Sequence, residues 1–269
     1  MYKQVKAAAI SLKPEKWAKE RNANKLEAFV RRAARNDPDL IVTTEGVLEG
    51  YVVMDVIEGR KSAEEMIEIA EPLDGPNVRR IQSLAKSLKT CICFGFAERV
   101  GTDVYNTAVF IDHAGKILGR HQKVQFAEGA NASWPFNRMG TSLRAFDTPL
   151  GRVGIVICAD RWNPMISRTL VLDGAQMLLI PSYGMKNRMQ NQTVLARARE
   201  NGVPIIQANV GINLIISKGE IVAYKWGNDQ ITVGIIDVPA EISTTTARAQ
   251  EKEYFDSQGQ EMERRYRET

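Results

Sequence analysis

The stretch Gly151-Arg-Val-Gly-Ile-Val-Ile-Cys-Ala-Asp-Arg-Trp-Asn-Pro164 is the part of this sequence that says most about its fold. Residues 153–157 form a short apolar run, which is typical of a buried parallel strand. Asn163 and Pro164 predict the start of a helix, with Asn as the cap and Pro in the first turn. Cys158 therefore lies at a strand-to-helix junction, where backbone N–H groups and the positive helix end favour a thiolate and can bind an oxyanion. A buried structural cysteine is the alternative interpretation.

Two further segments place ionisable side chains where they can join this cysteine. The strand-like run Asp39-Leu-Ile-Val-Thr-Thr-Glu45 ends on a carboxylate, and Lys123 follows the strand-like stretch 104–112. In open α/β sheets, ligands gather at the carboxyl ends of strands, so Glu45, Lys123 and Cys158 can meet although they are distant in sequence. A glutamate base, a cysteine nucleophile and a lysine cation for developing negative charge form a coherent catalytic set.

The order Glu45, Lys123, Cys158 resembles the catalytic triad of the nitrilase superfamily, the carbon–nitrogen hydrolases. The resemblance extends over roughly residues 4–240 and includes Cys158-x-Asp160-x-x-x-Pro164-x-x-x-Arg168, Val104-Tyr-Asn-Thr-Ala-Val-Phe-Ile-Asp112 and Ala196-Arg-Ala-Arg-Glu-Asn201. It implies an α/β fold built as a four-layer αββα sandwich, with a carbon–nitrogen hydrolase domain over residues 1–240. It also implies thiol-dependent hydrolysis of a non-peptide C–N bond through a thioester, in a homodimer or higher homo-oligomer.

The same resemblance implies a role for each site residue. Glu45 would act as base and acid, a double role that calls for burial. Lys123 and the backbone N–H of Ala159 would stabilise the oxyanion. Glu128 is the candidate for a second glutamate that many family members carry, with a surface glutamate as the alternative. Further candidates for the walls of a substrate pocket, each of which could equally be a core or surface residue, are Tyr51, Trp134, Phe136, Trp162, Asn163, Tyr183 and Met185.

The residues after the cysteine narrow the expected substrate. Ala159-Asp160 resembles the amidase and carbamoylase branches, whereas nitrilases tend to have Trp-Glu there. The leading expectation is therefore hydrolysis of a small linear amide. The alternatives are hydrolysis of an N-carbamoyl amine or amino acid, and a non-catalytic scaffold relative. Arg161 or Arg138 could bind a substrate carboxylate bidentately, although an exposed arginine is the simpler interpretation of either.

Length and composition fit an enzyme that acts on a small molecule. The 269 residues suffice for one large α/β domain, and 36 basic against 32 acidic residues leave a net charge of only +4. This mild excess gives little reason to expect nucleic acid or membrane partners. Because the three cysteines do not make a disulfide framework, a reducing cytoplasm is expected. The sequence has no phosphate-loop or dinucleotide fingerprint and only two histidines, so we expect neither a cofactor nor a metal.

Apolar patterning predicts alternating strands and helices, which favours an α/β sheet. Cys91 and Cys93 are predicted core thiols, and His121 is predicted to be a solvated loop histidine. The charged tail, residues 241–269, is expected either to be a solvated terminus or to pack on a partner subunit through Tyr254, Phe255 and Tyr266. The main predicted strands are 5–12, 40–43, 91–97, 104–111, 153–157, 176–180, 204–209, 214–217, 221–224 and 231–238, and the main predicted helices are 14–36, 76–89 and 188–201.

Overall fold

The computed structural model describes residues 2–184, 187–242 and 245–268. The strands of these residues are β1 (Tyr2–Ile10), β2 (Leu40–Val42), β3 (Cys91–Val100), β4 (Asp103–Ile111), β5 (Ile117–Gln122), β6 (Phe146–Thr148), β7 (Gly151–Ile155), β8 (Met177–Ser182), β9 (Ile205–Asn209), β10 (Ile212–Ser217), β11 (Glu220–Trp226) and β12 (Ile231–Pro239). The helices are α1 (Lys19–Ala34), α2 (Val53–Ile57), α3 (Ala63–Ile69), α4 (Pro76–Leu88), α5 (Pro164–Leu172), α6 (Arg188–Asn201) and α7 (Thr245–Arg267). A short 3-10 helix, Cys158–Trp162, precedes α5.

The strands form two six-stranded sheets that pack face to face. The first sheet has the order β12-β1-β2-β3-β4-β5, and the second has the order β11-β10-β9-β8-β7-β6. In each sheet three consecutive strands in the middle are parallel, β1-β2-β3 in one and β7-β8-β9 in the other. Parallel strands are buried on both faces, and this explains the nearly continuous apolar runs of β2, β8 and β9.

Three apolar layers hold the sheets and helices together. Side chains of both sheets meet between them, among them Val42, Cys93 and Ile155. The outer face of the first sheet packs on α1 and α4 through residues such as Leu26 and Ile81. The outer face of the second sheet packs on α5 and α6. The result is the αββα sandwich that the sequence resemblance implies.

The helix α1 begins at Lys19 and not at residue 14, so this predicted boundary is wrong. Trp17 has a φ of 61° and lies in the preceding loop, where no helical turn can include it. Its backbone N–H donates to the carbonyl of Glu49 at 2.9 Å, and its indole N–H donates to Asp55 Oδ2 at 2.8 Å. These tertiary contacts replace the first helical turns that the apolar spacing predicts.

Several short elements were not predicted because their sequences carry weak periodicity. They are α2, α3, β5 and β6, which span between three and seven residues each. One of them, α3, has a capping box in which Ser62 and Glu65 exchange side-chain and backbone hydrogen bonds. The strand β5 matters most for function, because it delivers Lys123.

The tail forms the helix α7, which the sequence analysis did not predict. Its Glu251 Oε1 accepts a hydrogen bond at 2.8 Å from Arg168 Nε on α5 of the same chain. Tyr254 and Phe255 are about half exposed, and the side chain of Tyr266 lies outside the described residues. Within the part of the chain that the structure describes, no helix has both the length and the apolar composition needed to cross a membrane.

Candidate active site

The three residues of the expected triad lie where strands of the two sheets end. Glu45 follows β2, Lys123 follows β5 directly, and Cys158 begins the 3-10 helix after β7. The strands β2 and β3 are parallel. The strand β5 runs in the same direction as both, because β4 is antiparallel to β3 and β5 is antiparallel to β4. The backbone N–H of Glu45 donates to the carbonyl of Ser182 at the end of β8, at 3.4 Å, and so joins the two sheets at this edge.

Cys158 has the backbone geometry of a presented nucleophile. Its φ is 44°, a left-handed conformation that costs a non-glycine residue free energy and is concentrated at functional sites. The thiol donates to the carbonyl of Tyr183 with Sγ and O 3.7 Å apart. Because Ala159 is in the first turn of the 3-10 helix, its backbone N–H has no acceptor within that helix. This N–H is thus suited to an oxyanion beside Cys158.

Glu45 and Lys123 form a buried ion pair. Both side chains have zero exposure, and Lys123 Nζ donates to Glu45 Oε1 at 2.7 Å. Asn106 Nδ2 donates to the same oxygen at 2.7 Å. Glu45 Oε2 is buried and has no hydrogen-bond partner among the described residues. One carboxylate oxygen is therefore held by two donors while the other is available as a base, and the expected burial of Glu45 is confirmed.

Three residues that sequence reasoning did not single out, Asn106, Gly95 and Gly46, shape the surroundings of Glu45. Asn106 lies inside the strand β4 and is partly buried, and a polar amide in such a place is the signal that could have found it. Gly95 packs against the backbone of Glu45, since a Cβ atom at Gly95 would lie 2.8 Å from Glu45 Cα. Gly46 takes a φ of 60°, which allows the chain to turn immediately after the carboxylate.

Burial and the neighbouring charges shift the pKa values of Lys123 and Cys158, and they act in opposite directions. Burial alone would lower the pKa of the Lys123 ammonium, but Glu45, followed by Cys158 and Glu128, more than offsets this and raises it. Burial and then the charge of Glu45 raise the pKa of the Cys158 thiol, while Arg161 and Lys123 lower it by a smaller amount. Glu45 was expected to act as the base for Cys158, and the raised pKa fits this expectation, because a resting thiol needs such a base.

Arg161 is buried, so its interpretation as an exposed arginine is wrong. The side chain is 1% exposed, and its Nη1 donates to Ser182 Oγ at 2.9 Å. Its guanidinium carbon lies 5.4 Å from the centre of the Trp162 ring. Its positive charge favours the thiolate and so lowers the pKa of Cys158. Arg161 consequently belongs to the electrostatic environment of the nucleophile.

Glu128 lies close to the triad and is connected to it by an aromatic side chain. The hydroxyl of Tyr51 donates to Glu128 Oε2 at 3.2 Å, and Asn137 Nδ2 donates to Oε1 at 3.3 Å. Tyr51 also stacks on Tyr183, with ring centres 4.8 Å apart, and its ring centre is 5.6 Å from Lys123 Nζ. Burial, then Glu45 and Glu128, raise the pKa of the Tyr51 phenol, so that it remains a donor. The structure thus brings Tyr51, Tyr183 and Glu128 to the triad.

The other candidate binding residues are not all beside the triad. Trp134 stacks on Phe136, with ring centres 5.2 Å apart, in an apolar cluster with Val52 and Met66 against which Tyr51 also packs. Asn163 caps α5, since its Oδ1 accepts from the N–H of Met165 at 3.0 Å. Trp162 contacts Arg161, as described above. Arg138 Nε donates to Asp103 Oδ1 at 2.8 Å. Met185 lies outside the described residues.

Three smaller predictions have clear outcomes. Cys91 and Cys93 are buried core thiols, as predicted. Burial raises the pKa of Cys91 to about 11 and raises that of Cys93 further. His121 is not solvated: it is 4% exposed, and its Nε2 donates to Asp160 Oδ2 at 2.8 Å. His121 lies near the end of β5 and is buried there. The polar residues around it in the sequence gave no sign of this burial.

Comparison with known proteins identifies the family of this chain. A family model described as carbon-nitrogen hydrolase matches residues 6–244. The chain therefore belongs to the carbon–nitrogen hydrolase family, and within it this enzyme is of the amidase type.

Named relatives share a substantial part of the chain. It is 30% identical over 223 residues to an N-carbamoylputrescine amidase of Solanum lycopersicum, covering 78% of this chain and 70% of that protein. It is 28% identical over 201 residues to a citrullinase of Francisella tularensis, covering 70% and 68% of the two chains. A variant of the amidase from Nesterenkonia sp. AN1, with acrylamide added at its active-site cysteine, superposes with a TM-score of 0.75 at 18% identity and covers 93% of this chain and 99% of that one. This last likeness establishes the shared fold.

Proposed function

We propose that this enzyme hydrolyses a small linear amide through a Cys158 thioester, with Glu45 as base and Lys123 as the cation that stabilises the oxyanion. The observation that carries the proposal is the buried arrangement of these groups: Glu45 Oε1 is held by Lys123 Nζ at 2.7 Å, while Oε2 has no partner among the described residues. A structural ion pair has no need of an unsatisfied buried oxygen, because such an atom costs free energy.

In the proposed reaction the Cys158 proton passes to Glu45 Oε2 as Sγ attacks the amide carbon. The carbonyl oxygen becomes an oxyanion that Lys123 and the backbone N–H of Ala159 stabilise, at roughly 3 kcal/mol for each donor. The C–N bond then breaks, and Glu45 gives its proton to the leaving nitrogen. A water molecule deprotonated by Glu45 cleaves the thioester and restores the thiol. Glu128 supports this cycle by its hydrogen bond with Tyr51.

An N-carbamoyl amine is the second candidate substrate, and the names of the relatives favour it. The Solanum protein is an N-carbamoylputrescine amidase and the Francisella protein is a citrullinase. For a terminal carbamoyl group the same attack would release ammonia, and hydrolysis of the carbamoyl thioester would restore the thiol and give a carbamic acid, which decomposes to carbon dioxide and the amine. The scaffold alternative is disfavoured, because a buried charged triad would be costly to maintain without a reaction.

Two further proposals concern the state of the protein. We propose a homodimer or higher oligomer, which is supported by Tyr254 and Phe255, two large apolar side chains about half exposed on α7. We also propose a cytoplasmic location. It is supported by the three cysteines, which are all free thiols.

Ammonia release tests the reaction, with a panel of amides, N-carbamoyl amines and nitriles and with Cys158→Ala as the control. Release by the wild type alone would support the hydrolase, and carbon dioxide with an amine among the products would identify a carbamoyl substrate. Selective alkylation provides a second test: Cys158 is 6% exposed, whereas Cys91 and Cys93 are 1% and 0% exposed, so Cys158 should react much faster. Silence across the panel together with an unreactive Cys158 would contradict the proposal.

A further inference from the structure

Asp160 connects the two chain segments that carry the nucleophile and the lysine. Its carboxylate is fully buried, and four donors surround it. Oδ1 accepts from the backbone N–H groups of Val124 at 3.2 Å and Gln125 at 2.9 Å. Oδ2 accepts from the N–H of Ile157 at 2.9 Å and from His121 Nε2 at 2.8 Å. One side chain thereby holds the residue before Cys158 and the two residues after Lys123.

Helix capping alone does not account for this arrangement. A cap of the 3-10 helix needs only the bond from Ile157, which is three residues before Asp160. The other three donors belong to β5 and the segment after it, more than thirty residues earlier in the sequence. Gln125 adds another link between the segments, since its Nε2 donates to the carbonyl of Ala159 at 3.4 Å. The carboxylate is consequently a tertiary connection between two parts of the active site.

We propose that Asp160 is a positioning residue, whose carboxylate sets the placement of the Lys123 ammonium relative to the Cys158 thiol. The backbone of Lys123 is held on its other side, by Asn106 and Gly140, whose backbone groups bond to it at 2.8 and 2.9 Å. Asp160 accepts three of the hydrogen bonds that tie this segment to the residues around Cys158, and Gln125 supplies a fourth. For its kinetic readout the proposal rests on the proposed function, but its effect on the thiol does not.

The substitution Asp160→Asn gives a test in which two physical effects have opposite signs. Removing a negative charge two residues from Cys158 would by itself lower the pKa of the thiol. Displacing Lys123 would raise it, because the lysine charge stabilises the thiolate. The asparagine oxygen can still accept from the N–H groups of Val124 and Gln125. Its NH2 group then faces two other donors, the N–H of Ile157 and His121, so these two hydrogen bonds are lost. If positioning dominates, the pKa of the Cys158 thiol rises in this variant.

The experiment follows alkylation of the full chain by iodoacetamide against pH, with the modified cysteine identified by mass spectrometry. For Asp160→Asn we expect a higher pKa of Cys158, with kcat lower by about 100-fold and KM within about threefold of the wild type, as for a misplaced catalytic group. Cys91 and Cys93 report on the fold, since both are buried and stay protected only while the sandwich is intact. A lower or unchanged pKa of Cys158 with kcat unaffected would overturn the proposal.

A matched control and a milder variant complete the design. Asp112 also accepts two backbone N–H groups, from Ala114 at 3.0 Å and Lys116 at 2.7 Å, but in the turn between β4 and β5 at the far end from Lys123. Asp112→Asn should leave kcat and the thiol pKa unchanged. If Asp160→Asn unfolds the protein and so exposes Cys91 and Cys93, the variant His121→Leu replaces it as the test. This variant removes one of the four donors to Asp160. A raised thiol pKa in it supports the proposal, and an unchanged one refutes it.

The two proposals can fail separately. If the wild type releases no ammonia from any amide while Asp160→Asn still raises the pKa of Cys158, the proposed substrate class is wrong and the positioning role stands. If the wild type hydrolyses an amide and Asp160→Asn retains both kcat and the thiol pKa, the positioning role is wrong and the hydrolase stands.

Discussion

Replacing Glu45 by glutamine separates its role as a base from its role as a hydrogen-bond acceptor. Glutamine keeps an oxygen at the position of Oε1, where Lys123 and Asn106 donate at 2.7 Å each. It puts an amide nitrogen at the position of Oε2, the oxygen that has no partner among the described residues. The variant therefore loses the base while keeping the hydrogen bonds that shape the site. We expect kcat to fall by about 10²–10⁴-fold, the usual contribution of a general base, or roughly 3–5 kcal/mol.

The same variant should make Cys158 easier to ionise. After burial, the charge of Glu45 is the largest cause of the raised pKa of the thiol. With a neutral glutamine in its place, the thiolate can balance the buried ammonium of Lys123. The pKa of Cys158 should then fall below its wild-type value, and alkylation at pH 7 should become faster although turnover becomes slower.

Two assays on Glu45→Gln test this reasoning. Ammonia release gives kcat, and the rate of iodoacetamide alkylation between pH 5 and pH 10 gives the pKa of the thiol. A suitable control is Glu71→Gln, since Glu71 is also buried and paired with a lysine, Lys19, at 3.0 Å, but is not part of the triad. Wild-type kcat in Glu45→Gln would refute the base assignment. A higher pKa of Cys158 would refute the electrostatic account of the site.

Three further predictions concern groups around the triad. Lys123→Met leaves Glu45 buried without its counter-charge, so we expect a loss of about 3–5 kcal/mol in the free energy of unfolding and no ammonia release; an unchanged urea midpoint would contradict this. Burial raises the pKa of Glu49 from 4.5 to about 7. The folded state therefore keeps a proton that the unfolded state loses, and the free energy of unfolding should fall by about 3 kcal/mol as the pH rises from 4.5 to 7. Urea unfolding should show a smaller change over this pH range for Glu49→Gln than for the wild type. Tyr51→Phe removes the hydroxyl that donates to Glu128 at 3.2 Å but keeps the ring, so kcat should fall by about tenfold, and equal kcat in both proteins would show that this hydrogen bond is dispensable.

The placement of Glu45 and Cys158 was accessible from sequence because each follows a strand with a clear apolar pattern, whereas β5, which delivers Lys123, has no such pattern. The runs before Glu45 and Cys158 are buried on both faces, so they read as continuous hydrophobic segments. The cap of α5 was predicted as well, because Asn163 and Pro164 act through local backbone geometry alone. Such features depend on neighbours in the sequence and therefore leave a signal there.

The burial of polar side chains was not accessible in this way. His121 and Arg161 were expected to be exposed, and both are buried by partners from other segments, Asp160 and Ser182. A polar residue between other polar residues gives no periodic signal, so its environment depends on which distant chain segment packs against it. The start of α1 was misplaced for the same reason, since tertiary contacts hold Trp17 in a loop.

Apolar patterning and the quoted motifs predicted the α/β class of fold, the alternation of strands and helices, and Glu45, Lys123 and Cys158 as a candidate set. Apolar periodicity and residue order are properties of the chain and need no coordinates. The protonation of these groups and the side chains that hold them became evident once the packing of the two sheets was known. Burial and the nearby Glu45 carboxylate make Cys158 a resting thiol, and the bonds of Asp160 join its turn to the lysine segment. Electrostatic energies depend on distance and dielectric surroundings, and these exist only once the two sheets have packed.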